Sequence, residues 1–145
     1  MQRSIHDNQV LGYSVNAESR TIVVHTEFRV RGEPPFERTD VRFDGVLGYY
    51  FQDNLSGILF GIEQVDFTQI VEDHADLFQV GAPYCWPFHT CDGDPVDFVR
   101  SAGAIAFQIH SSIGFNGFVI CKSMMVEAAQ PAAAAGGAKP PPLSG

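Results

Sequence analysis

Positive charge is scarce in this chain: nine Lys and Arg stand against seventeen Asp and Glu, a formal charge of -8 over 145 residues. That sign is wrong for unspecific attachment to a phosphate backbone or an anionic membrane surface, so neither nucleic acid nor membrane is expected as a partner. Long apolar runs are missing too. No stretch approaches the roughly eighteen apolar residues of a spanning helix, and the opening MQRSIHDNQV carries no apolar secretion segment. A soluble protein of the cytoplasm or nucleus is the expectation. Cysteine is sparse: Cys85, Cys91 and Cys121 are an odd number, which argues for free thiols and against a disulfide framework. There is no glycine-rich phosphate loop, dinucleotide fingerprint, GxSxG elbow or HExxH pair, so no cofactor is expected.

What the chain does have is apolar bulk. Twelve phenylalanines, 45% hydrophobic residues and 18% charged residues describe a folded domain with a substantial core. From Ala128 onward, fourteen of the last eighteen residues are Ala, Pro or Gly. Such a segment has little side-chain bulk to offset its ordering entropy. The organisation predicted is therefore one domain over residues 1–127 and a disordered tail over 128–145.

Within the domain the apolar spacing predicts an α+β fold, a mostly antiparallel meander of about seven strands with two helices inserted before the last hairpin. Strands are expected over Gln9 to Val15, Thr21 to Val30, from Thr39 through Phe43, Val46 to Phe51, Gly57 to Ile62, Ala104 to Ser112 and Phe118 to Val126. Turns are expected at Asp44-Gly45, Asp53-Asn54 and Asn116-Gly117. Between Asp66 and Phe78 the period changes to 3.6, placing Phe67, Ile70, Val71, His74, Leu77 and Phe78 on one helical face. Asp66 can cap that helix, with Gln69 reaching back. A second helix should start at Asp94-Pro95 and stop at Gly103.

Three groups of residues could carry chemistry. Cys85, His89 and Cys91, with His74 nearby, are soft and borderline metal ligands, but the paired C-x2-C spacing of a zinc knuckle is missing, and an ordinary loop or a Cys85 to Cys91 disulfide are the alternatives. His6, Asp7, His25 and His110 could form a histidine-carboxylate general base, although no nucleophile or oxyanion donor accompanies them. The sharper feature is charge: from residue 43 to 99 there are ten acids and no Lys or Arg. Glu63, Asp66, Glu72, Asp73 and Asp76 cluster around one helix, with Tyr49, Tyr50, Tyr84 and Trp86 near in sequence. Acids and aromatics together suit a protein-contact surface that steers a basic partner.

The segments SIHDNQVLGYSVN, RTIVVHTEF, TDVRFDGV, YCWPF and SSIGFNGFVICKSM resemble a family of short uncharacterised plant proteins, chiefly of grasses, over residues 3 to 125. The resemblance implies no activity, substrate or catalytic residue. DPVDFVRSAGAIAFQI is richer in alanine than that family's pattern, and the tail is an addition to it. In shape, a His-Asp near the start followed by a meander and a capped helix is similar to small bacterial immunity proteins that neutralise toxins by binding them. The function expected is a non-catalytic protein-binding module, antidote-like or an adaptor, contacting a partner through Glu63, Glu72, Asp73, Asp76, Tyr84 and Trp86. The alternatives are a small hydrolase using the histidines and Asp7, and a self-assembling structural protein joined through an exposed sheet edge.

Overall fold

The computed structural model describes residues 4–52, 58–90, 93–112 and 115–129. Among them are eight strands: β1 (Gln9–Asn16), β2 (Thr21–Phe28), β3 (Glu37–Asp44), β4 (Gly48–Phe51), β5 (Leu59–Val65), β6 (Ile105–Ser111), β7 (Gly117–Cys121) and β8 (Ser123–Ala129). Helices α1 (Phe67–Asp73), α2 (Ala75–Gly81) and α3 (Pro95–Ser101) lie between β5 and β6, with a 3-10 turn, Ala82–Tyr84, directly after α2. The class is α+β with antiparallel pairing, but the single seven-strand meander is not what forms. The strands divide into two four-stranded sheets, β1-β2-β3-β8 and β4-β7-β6-β5, and three strands, not one hairpin, follow the helices.

The division has a physical cause in the alternation of the long strands. Val10, Ile22, Val24, Val41 and Phe43 of the first sheet face Leu59, Phe107, Ile109, Val119 and Cys121 of the second, and Phe51 and Phe115 fill the same layer. Two sheets facing each other bury both inner faces, which one sheet against short helices could not do. The run read as one strand from Phe118 to Val126 breaks at Lys122. Its N–H donates to Asp44 O, and the chain there leaves the second sheet as β7 and enters the first as β8. On the other side β1 and β5 meet through the Gln9–Ile58 bridge and the Asp7 N–H to Leu59 O bond.

The helices cover the outer face of the second sheet. Phe67, Ile70, Phe78, Phe88 and Val99 pack over Ala106, Phe118 and Ile120, so β7 is buried on both faces, as a central strand covered on two sides must be. Asp66 caps α1 as expected, accepting from the Thr68 N–H at 3.0 Å. Gln69 does not reach back; its amide donates to Asp73 Oδ1 at 2.9 Å. The helix predicted from Asp66 to Phe78 is broken at His74, whose backbone (φ -123°, ψ 35°) is not helical. The break displaces Leu77 from the buried stripe: it is 36% exposed, whereas Ile70 is 0% exposed. At the C-terminal end Ala128 and Ala129 pair with Thr39 and Arg38, so β8 runs two residues past the boundary expected at 127. Asp53-Asn54, part of the Gly57 to Ile62 run and residues 130–145 of the expected tail lie outside the described residues.

Candidate functional site

The histidines are not gathered into one constellation. His6 Nδ1 lies 3.1 Å from Asp7 Oδ2, before β1. His25 on β2 meets Asp40 of β3 at 2.9 Å, on the face of the first sheet turned away from the core. His110 on β6 meets Glu63 of β5 at 3.5 Å, on the second sheet. Each imidazole has its own carboxylate on different elements, an arrangement of three cross-strand or turn pairs.

The metal candidates separate likewise. Cys85 is disulfide-bonded, which corrects the expectation of free thiols; an odd cysteine count excludes complete pairing, not one bridge. A disulfide sulfur is no thiolate ligand. Cys121 is free and buried on β7. His89 faces Arg20, with Nε2 3.5 Å from Nη2, and the His74 ring packs edge-on to Tyr50 and tilted against Phe118, 5.8 Å and 5.0 Å between centroids. Cys91 lies outside the described residues. Among the described residues no three His, Cys, Asp or Glu converge as a metal site.

The acidic residues, by contrast, form a continuous strip. Glu63, Asp66 and Asp73 line a groove of about 460 Å3 with Gln69 and His110. Asp73 also belongs to a neighbouring groove of about 420 Å3, with Glu72, Asp76, Tyr50 and Leu77. Asp73 thus joins the β5 end of the strip to the α1–α2 junction. The hydrogen bonds from the Thr68 backbone and hydroxyl hold the Asp66 carboxyl below its usual value, with Arg100 adding to the effect and desolvation opposing it. Asp66 is therefore anionic at neutral pH.

Of the two aromatic residues predicted to join the strip, one is exposed. Tyr84 is 81% exposed. Trp86 instead turns inward, its ring 5.2 Å from Phe78 and 5.9 Å from Phe118, and it serves as half-buried core. Two apolar residues take its place. Val80, 77% exposed, and Leu77, 36% exposed, lie on α2 and precede Tyr84, and the spacing 77, 80, 84 is that of one helical face. Sequence periodicity assigned Leu77 to the core and passed over Val80. The signal that could have found them is the same three-and-four spacing, once the helix is allowed to restart at His74. Comparison with models of protein families, with curated protein sequences and with solved structures finds no match in any of the three.

Proposed function

We propose that this chain is a non-catalytic protein-binding module, antidote-like or an adaptor, whose contact surface is the exposed side of α1, α2 and the Ala82–Tyr84 turn. The observation that carries the reading is the exposed apolar row Leu77, Val80, Tyr84, which begins at the groove Leu77 shares with Glu72, Asp73 and Asp76. Apolar anchors rimmed by charge of one sign suit a partner with an apolar pocket and basic edges. The acids steer the encounter, and Val80 and Tyr84 supply the area that becomes buried.

The test is affinity capture with the wild-type chain, the charge-reversed E72K/D73K/D76K variant and V80D, followed by association kinetics on the captured partner. Charge reversal should slow association and flatten its dependence on salt, and V80D should speed dissociation. Identical capture and kinetics for all three folded proteins would place the contact elsewhere.

A second reading, self-association through a sheet edge, is favoured by β8. It ends the first sheet and pairs with β3 in unbroken register over seven residues. The other edges are blunted: β1 and β5 carry register shifts, and β4 has four residues. Light scattering after size exclusion distinguishes a monomer from a dimer joined at β8.

A further inference from the structure

We infer that the pocket between the β1–β2 turn and the start of β4 binds a small carboxylate with an apolar body, its anionic head held by Arg20 and His89. The pocket encloses about 340 Å3, and Val15, Val46, Leu47, Tyr49 and Pro87 form its apolar walls. A volume of this order suits a small ligand. Val15 and Tyr49 are 42% and 37% exposed, so two of the large apolar side chains that the fold leaves in water meet at one cavity. The walls are set by close backbone approach: a Cβ on Gly48 would stand 2.6 Å from Pro87 O, which fixes the spacing between β4 and the loop carrying His89.

Arg20 and His89 line the same pocket, and their nitrogens lie 3.5 Å apart. Among the described residues neither makes an ion pair with a carboxylate. The nearby Asp44 is engaged by Arg42 at 3.0 Å and by the Thr21 hydroxyl. Arg20 Nη2 and His89 Nε2 share one long hydrogen bond, and the guanidinium carries four further N–H donors whose planar fork matches a carboxylate.

The backbone at Arg20 adds an independent observation. Its φ is 55°, in the left-handed region where glycine sits without penalty and a residue with a Cβ does not. Its carbonyl accepts from the Val46 N–H at 2.9 Å, so the conformation is pinned by β4. Arginine at a turn position that glycine would fill more cheaply is the kind of local strain retained where the side chain is used.

The probes are phenylacetate, benzoate and hexanoate, titrated to about 10 mM and followed by amide NMR shifts of Val46, Leu47 and Tyr49. Phenylacetamide serves as the neutral control. At least one carboxylate should give a saturable shift confined to this pocket, with phenylacetamide weaker by about tenfold or more. R20G removes the guanidinium and relieves the strained φ, so it should keep or raise the melting temperature while weakening the carboxylate at least about tenfold. H89Q, at an exposed position, should weaken it several-fold without unfolding the chain. Absence of any saturable shift with all three carboxylates overturns the inference. So does wild-type affinity in folded R20G, or equal affinity for phenylacetate and phenylacetamide.

Discussion

Nε of Arg29 lies 2.5 Å from Oε2 of Glu27, and only the arginine reaches water: the Glu27 side chain is 4% exposed and that of Arg29 45%. Arg38 Nε approaches the other carboxylate oxygen at 3.5 Å from the neighbouring strand. Glu27 sits on the outer face of the first sheet, where no helix packs, so the stems of two arginines do the covering. Alternation along β2 puts Glu27 on the same outward side as His25. Its burial was not legible, because it depends on Arg29 folding back and on Arg38 arriving from β3 in register.

Glu27→Ala should therefore destabilise the fold by about 1 to 3 kcal/mol. That is less than the loss of a fully buried ion pair, because both arginines can regain water. Urea unfolding of wild type and variant measures it. A loss below about 0.5 kcal/mol would mean that the two guanidinium groups do not depend on the carboxylate.

Ile70 and Leu77 offer a sharper contrast, since the same helical stripe predicted both to be core. Ile70→Ala removes a 0% exposed side chain from the cluster beneath the helices and should cost about 2 to 5 kcal/mol. Leu77→Ala, at 36% exposure, should cost under about 1 kcal/mol. Equal large losses would return Leu77 to the core and remove it from the contact surface.

The elements that were legible share one property: their signal is local. Asp94-Pro95 starts α3 and its carboxylate accepts from the Val96 N–H at 3.2 Å; Gly103 follows the helix with φ 66°, and Gly45 turns the chain with φ 64°. The acidic strip was legible for the same reason, since ten acids without a base in residues 43–99 need no tertiary information. What was not legible depends on long-range choice. Lys122 does not mark itself as the corner between two sheets, because mostly apolar runs, Phe118 to Cys121 and Met124 to Val126, lie on both sides of the Lys122-Ser123 pair. His74 breaks the helix where its ring finds space against Phe118, a residue more than forty positions away.

Cys121 gives a chemical prediction. Burial pushes its thiol from the ordinary 9.0 up to about 12, a hydrogen bond with the Ser123 backbone opposes the shift, and Asp44 adds to it. The folded state thus favours the neutral thiol, and the stability this provides is complete below 9 and is lost as pH rises from about 9 toward about 12. Cys121→Ala should flatten the alkaline limb of the stability profile. In the native protein at pH about 8, iodoacetamide should leave Cys121 unmodified, with labelling only on unfolding, read by peptide mass spectrometry. Rapid native labelling would show that β7 opens locally.

His74 joins stability to the proposed contact surface. Its backbone N–H ends α1 by donating to Ile70 O, and its carbonyl accepts from the Phe78 N–H at 3.1 Å, so the helix junction is held by the main chain and survives replacement of the ring. The ring itself lies between Tyr50 and Phe118, and its Nε2 is buried with no hydrogen-bond partner. Burial lowers its pKa below the ordinary 6.5, against a smaller opposing pull from Asp73. The neutral ring is the one the fold accepts. The unfolded chain takes up the proton at 6.5 and the folded chain resists it, so the stability that His74 contributes is present above 6.5 and falls as pH drops below it. His74→Leu should keep both main-chain bonds, remove the orphaned nitrogen, and gain on wild type progressively between pH about 7 and about 5. Because Glu72, Asp73 and Asp76 flank this junction, loosening it in acid should also weaken partner binding in wild type more than in the leucine variant. Parallel stability profiles for the two proteins would show that the ring takes up its proton without cost, and would leave the α1–α2 junction insensitive to pH.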